Sequence, residues 1–200
     1  MPGSSSTVPK EWPQGIVYLR VPHYSKRLSS ETSRVLILPF SEIPADEQLM
    51  KSTNGPFTNV RISKITNSNH PAYGQYGLFA AQHLPPDSFV LPYLGYVHDQ
   101  SDTNESSDYD LSLDREHRVG VDASTMGNEA RFINDYRGIA PAPTAEFRDI
   151  YIDLGNGKAE KRIGVFVLSA GKSGKRAKGV PKGQELLVSY GKGFWAARSP

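Results

Sequence analysis

Cysteine is absent from the 200-residue chain. That excludes disulfides, thiolate-held zinc or iron–sulfur centres, and a cysteine nucleophile. Histidine is scarce, at five residues, and the nearest pair, His70 and His83, is too widely spaced for a helical zinc motif. No apolar run approaches the ~20 residues a membrane span needs. The N-terminal region lacks the apolar centre of a secretory signal, so neither membrane insertion nor secretion is expected. Gly171-Lys172-Ser173 lacks the earlier glycine of a phosphate loop, because Phe166 stands there. No serine lies in a Gly-x-Ser-x-Gly elbow. Net charge is only +2, which argues against a polycation binding nucleic acid along its whole length.

What is present suits one folded domain, or a domain with an extension: 38% of the residues are hydrophobic. Charge is unevenly placed. Residues 99–110 hold five carboxylates and no base, and residues 172–182 hold five bases and no acid. Met1 to Lys10 is Ser/Pro/Gly-rich and is expected to be disordered. Residues 16–21 and 34–38 read as strands, and Pro44 to Lys51 as one or two helical turns opened by Pro44. Residues 1–57 show no functional motif and read as an N-terminal extension, packed on the main domain or serving as a partner surface.

From Val60 the pattern is short strands and frequent turns. Strands are expected at 60–65, 78–81, 89–97, 109–113, 119–122 and 185–190, with a hairpin of 147–154 and 163–168 across Gly155-Asn156-Gly157. The fold class is mostly β with little helix. One stretch stands apart, Gly127-Asn128-Glu129-Ala130-Arg131-Phe132-Ile133-Asn134-Asp135-Tyr136. It is too polar for a core strand and lacks the apolar period of a core helix. Such a segment is held inside when its side chains bond backbone, since buried polar groups need partners.

Four blocks, in order, resemble the SET-domain lysine methyltransferases. They are Gln75-Tyr76-Gly77-Leu78-Phe79-Ala80, Leu91-Pro92-Tyr93-Leu94-Gly95, Gly127-Asn128 with Arg131-Phe132-Ile133-Asn134, and Gly183-Gln184-Glu185-Leu186-Leu187-Val188-Ser189-Tyr190-Gly191. Each block alone is weak; the last two together are fairly specific. The resemblance covers residues 58–195, leaving 196–200 as a tail. It implies small curved β-sheets and a C-terminal pseudo-knot, with the last strand beside the asparagine motif.

The resemblance also implies chemistry: a methyl group passes from S-adenosylmethionine to a neutral lysine amine. An apolar channel disfavours the charged amine, and aromatic walls suit a cationic head. Tyr190 matches the family's C-terminal active-site tyrosine, and Tyr93 its channel tyrosine. Phe147, Val188 and Phe194 are the implied channel residues. Neither Phe147 nor Val188 offers a hydroxyl, which favours a pocket admitting more than one methyl. Tyr76, Gly77, Tyr109, Arg131, Phe132, Asn134, Asp135 and Trp195 are the implied cofactor residues. Asn134 takes the amino-acid end, and Gly77 allows close approach of backbone. Gln75 departs from the usual first glycine, Tyr96 from a common glutamate, and Asp135-Tyr136-Arg137 from the frequent His-Ser-Cys. The family's flanking zinc clusters are missing. The N-terminal residues, the last aromatics or a second subunit of a homodimer must then wall the lysine channel.

The implied partner is a basic peptide, a histone tail first, drawn by the acidic stretch 99–110. Residues 172–182 are a candidate contact to nucleosomal DNA through phosphates. A histone substrate implies a nuclear protein. A SET-like module without catalysis, binding a basic peptide or a chromatin partner, and a methyltransferase of non-histone proteins are the competing expectations.

Overall fold

The computed structural model describes residues 8–45, 47, 49–172, 174 and 176–196, apart from the side chains of Lys192 and Ala196. The expected disorder of Met1 to Lys10 therefore falls largely outside the described residues. In chain order the elements are β1 (Val17–Tyr18), β2 (His23–Tyr24), α1 (Ser30–Leu36), β3 (Ile37–Pro39), β4 (Leu49–Lys51), β5 (Val60–Lys64), β6 (Tyr76–Ala80), β7 (Phe89–Tyr93), β8 (Tyr96–His98), β9 (Asp110–Asp114), β10 (Val119–Asp122), β11 (Met126–Gly127), β12 (Asn134–Asp135), β13 (Ala145–Asp153), β14 (Lys158–Val167), β15 (Leu187–Val188) and α2 (Gly191–Ala196). Single 3-10 turns lie at Phe40–Glu42, Gln100–Asp102 and Glu129–Phe132. The chain is mostly β with little helix, as its turn-rich pattern predicts. No helix among the described residues is long and apolar enough to cross a membrane.

The chain divides into two compact units. The first comprises 1–58, 91–131 and 148–164. Its N-terminal strands are built into its sheets: β1 runs parallel to β11, β2 parallel to β8, β3 antiparallel to β14 and β4 parallel to β13. The order β2-β8-β10-β9 makes a four-stranded sheet. Leu91, Leu94, Val97, Val119, Val121, Ile150 and Ile152 are buried in its core. Gly95 is needed for close packing, because a Cβ there would lie 2.6 Å from the Asp122 carbonyl oxygen.

The second unit comprises 59–90, 132–147 and 165–200. β5 and β6 pair antiparallel from Val60↔Ala80 to Lys64↔Tyr76. β12 and β15 pair parallel, Asn134 with Leu187 and Asp135 with Val188. This is the pairing that the family's pseudo-knot requires. The final segment changes partner along its length. Leu186 N–H bonds Leu78 O at 2.8 Å, the Thr144 N–H bonds Leu187 O at 2.8 Å, and the Tyr136 N–H bonds Val188 O at 3.0 Å. Its ladder as a named strand is thus two residues, shorter than the expected 185–190.

Two N-terminal expectations are corrected. Residues 34–36 end helix α1 rather than beginning a strand. Ser29 caps that helix by accepting the Thr32 N–H at 3.0 Å, and Leu36 is fully buried. A filled cap and the buried side chains of Thr32 and Leu36 outweigh the β preference of Val35. Pro44 opens only one turn, closed by Glu47 N–H to Pro44 O at 3.0 Å. The residues after it form β4, whose backbone finds partners on β13. The hairpin expectation holds and lengthens. Gly155, Asn156 and Gly157 all have positive φ, at 76°, 53° and 75°, a conformation those residue types adopt readily.

Candidate active site

The polar stretch at 127–136 is held as its composition predicts, by side chains that bond backbone. In the first unit Asn128 is fully buried; its Oδ1 accepts the Leu94 N–H at 3.2 Å and its Nδ2 donates to Pro92 O at 2.8 Å. Glu129 is 1% exposed and accepts from the Phe57 N–H at 2.9 Å and the Tyr18 hydroxyl at 3.1 Å. Burial pushes the Glu129 carboxyl above its usual range. Burial and the facing carboxylate raise the Tyr18 phenol as well.

The first unit also brings three expected site residues together. Buried Tyr93, at the end of β7, donates its hydroxyl to Tyr109 O at 2.6 Å. The Arg131 guanidinium lies 4.4 Å from the Tyr109 ring centroid and donates through Nε to Ala123 O at 2.9 Å. A small cavity beside Tyr93 is lined by Tyr24, Leu113, Val121, Lys161 and Ile163. Its one amine is not a free base. Lys161 Nζ lies 3.2 Å from both Asp114 and Asp149 carboxylates. Burial lowers its pKa, but these two carboxylates outweigh that and hold it above its usual value.

The second unit gathers most of the rest. The Tyr76 and Phe132 rings meet edge to face at 6.0 Å. Asn134 Nδ2 donates to Glu185 Oε1 at 2.8 Å and to Tyr76 O at 3.3 Å. The Tyr190 hydroxyl donates to Ile133 O at 2.7 Å, and its N–H donates to Asp135 Oδ2 at 2.7 Å. Thus both hydrogen-bond donors of Tyr190 are fixed by residues flanking Asn134. Asp135 also accepts from the Arg137 N–H at 2.8 Å and Trp195 Nε1 at 3.3 Å. Its carboxylate is occupied in pinning the chain end, and no histidine is needed for that. Phe194 bridges the Tyr190 and Trp195 rings, at 4.8 and 5.4 Å. Val188 is fully buried, Phe147 half-buried in β13, and Trp195 38% exposed. Glu185 and His70, 3.0 Å apart, were not among the expected site residues. The Gly-x-Glu-Leu block was a signal for Glu185; nothing in the sequence pointed to His70.

The fold and these motifs are those of a SET domain. The SET domain family model matches residues 75–191. That is more than half of the chain, and the chain belongs to the SET-domain family. Among solved structures it is similar to the Chaetomium thermophilum polycomb repressive complex 2, at 24% identity and TM-score 0.50, over 70% of this chain and 17% of that one. The same complex bound to GSK126 matches at 23% identity and TM-score 0.50, over 74% and 19%. The complex in an autoinhibited conformation bound to S-adenosylmethionine matches at 25% identity and TM-score 0.50, over 70% and 17%. The chain thus spans under a fifth of the length of those chains. Comparison with curated proteins finds no match.

SET methyltransferases are protein-lysine methyltransferases, and S-adenosylmethionine is their methyl donor. The residues present fit such a group. Asn134 Nδ2 faces two acceptors, so Oδ1 points elsewhere and accepts no hydrogen bond among the described residues. An ammonium group needs such acceptors.

Proposed function

We propose that this chain is an S-adenosylmethionine-dependent protein-lysine N-methyltransferase acting on a lysine of a histone tail. The observation that carries this is the tyrosine of the last block. Tyr190 has its hydroxyl fixed on the Ile133 carbonyl, next to Asn134. When bound, S-adenosylmethionine supplies an electrophilic methyl group. The protein's task is then mainly alignment. The Tyr190 hydroxyl orients the lysine amine, and Phe194 beside it gives the channel an aromatic wall; Tyr93 keeps the channel role that the family resemblance implies. Phe147 and Val188 bring no hydroxyl to tether the amine or hold a water, which favours more than one methyl transfer per lysine. Asn134, with Tyr76 and Gly77, takes the amino-acid end of the cofactor, framed by Phe132, Asp135 and Trp195; Tyr109 and Arg131 keep the cofactor role that the family resemblance implies. The catalytic domain is 58–195, with 1–57 an extension and 196–200 a tail.

The acidic stretch offers a basic peptide less free charge than its composition promised. Asp102 is engaged by Ser25, Tyr96 and Arg27, Asp99 by Ser101, and Asp110 by His98. Glu105 is exposed towards solvent and is the carboxylate assigned to the peptide. Lys172, Arg176, Lys178 and Lys182 are exposed and suit a phosphate backbone; Lys175 lies outside the described residues. A nuclear location follows from the histone reading, and a homodimer is the arrangement in which a second copy completes the channel. The test is to incubate the full chain with radiolabelled S-adenosylmethionine and separated core histones or nucleosomes. Label on one histone, lost with Tyr190→Phe, is expected. Label only on non-histone proteins of a nuclear extract would overturn the substrate, and cofactor binding with no transfer to any protein would leave a binding module.

A further inference from the structure

Outside the residues that the family motifs single out for ligands, the second unit holds a buried chain of polar groups ending at Asn134. Glu185 is 9% exposed, and the side chain of His70 is 7% exposed. His70 Nδ1 accepts the Ala72 N–H at 3.0 Å. The ring hydrogen is therefore on Nε2, which donates to Glu185 Oε2 at 3.0 Å. The other carboxylate oxygen, Oε1, accepts from Asn134 Nδ2 at 2.8 Å. Each oxygen of Glu185 thus has one donor, and the His70 donor is set by the Ala72 N–H behind its ring.

Both ends of the relay are anchored. The His70 backbone closes a turn, with its N–H on Asn67 O at 3.1 Å and its carbonyl accepting the Tyr73 N–H at 2.9 Å. Glu185 bridges Phe79, and its neighbours bond β6 on either side, Gln184 O to the Ala80 N–H and the Leu186 N–H to Leu78 O. Space is made for the carboxylate by a missing side chain. A Cβ at Gly77 would lie 2.5 Å from Glu185 Oε1. Gly77 therefore serves the approach of Glu185 as well as any approach of ligand to backbone.

We propose that Glu185, held by His70, is a positioning residue that fixes the Asn134 carboxamide with its oxygen turned to the α-amino group of the cofactor. The inference rests on Asn134 binding the amino-acid end. An asparagine side chain turned over would set its oxygen against the Glu185 carboxylate and the Tyr76 carbonyl, two acceptors facing a third. Glu185 forbids that rotamer. It also places a negative charge one side chain away from the cofactor's ammonium group, where the two attract.

The test compares two ligands by calorimetry on the full chain. S-adenosylmethionine carries the amino-acid group; 5′-methylthioadenosine has the same nucleoside without it. Glu185→Ala is expected to weaken the first by about tenfold or more, the scale of one misdirected hydrogen bond to a charged group, while leaving the second within about threefold. Glu185→Gln, which keeps an acceptor for Asn134, is expected to restore most of the affinity. Asn134→Ala with Glu185→Ala should lose no more than Asn134→Ala alone, as coupled residues do. Should Glu185→Ala fail to fold by circular dichroism, Glu185→Asp carries the same selective loss. Equal weakening of both ligands, or of neither, overturns the positioning role and leaves the cofactor reading intact. Wild type that binds neither ligand overturns both.

Discussion

Tyr190 is held at both its donors by residues 133 and 135, and its ring is held by the hydroxyl bond and the Phe194 contact. Removing the hydroxyl deletes one hydrogen bond and no packing atom of the ring. Tyr190→Phe should therefore lower methyl transfer by about 100-fold, the scale of a misplaced reacting group, with S-adenosylmethionine affinity changed less than about threefold. Single-turnover transfer and calorimetry on the same preparation separate the two effects. At this scale the sequence was most informative where a motif was dense. Tyr93, Asn134 and Tyr190 lay in recognisable blocks. His70 did not, because its role arises from a contact 115 positions away in the chain, and no local pattern encodes that.

The element that decides the architecture is the short parallel pair β12–β15. Two residues of ladder are marginal alone, and Asp135 reinforces them by accepting from Tyr190, Arg137 and Trp195. Asp135→Ala leaves those part-buried donors without their charged acceptor, and hydrogen bonds to a charged group are the stronger ones. The expected loss is about 2–3 kcal/mol in chemical unfolding, together with increased proteolysis after residue 190. Asp135→Asn, which keeps an oxygen, should recover part of it. Alternating apolar residues and turn chemistry made β5, β10 and the β13–β14 hairpin legible from sequence. Helix α1 was missed because Val35 to Leu38 reads as a strand, while the cap that redirects it, Ser29 on Thr32, rests on two weak helix formers. The pairing of β12 with β15 joins residues about fifty positions apart; only the family resemblance anticipated it, since loop closure of that length leaves no local trace.

Over the whole molecule, buried titratable groups predict how stability follows pH. His98 is 2% exposed, and its ring bonds Asp110 and the Asp99 carbonyl. The Asp110 hydrogen bond raises its pKa, burial opposes this, and the Asp99 carbonyl and the Asp110 and Asp122 charges raise it further. A raised folded value means that its contribution is full below the ordinary 6.5 and fades as pH climbs through the folded value. Glu129, pushed up mainly by burial, gives a decline of its own that begins above its ordinary 4.5. Asp114 acts at the other end. Burial pushes it up, but the His117 N–H and ring and Lys161 outweigh this and hold it at about 2. Its contribution is present above the ordinary 3.8 and is lost as pH falls towards about 2. Urea unfolding across pH should therefore peak between those limits. Asp114→Asn should flatten the acid limb and His98→Gln the alkaline one.

Composition excludes thiolate chemistry, because the chain has no cysteine. It overstated the acidic stretch, because charge counted along a chain does not reveal that Asp99, Asp102 and Asp110 are engaged within the protein. The measurement that bears most directly on the whole account is calorimetric titration of the folded full chain with S-adenosylmethionine. Saturable binding at one site per chain, weakened at least about tenfold by Asn134→Ala, is the predicted result. No heat of binding from protein shown to be folded by circular dichroism would contradict the methyltransferase reading.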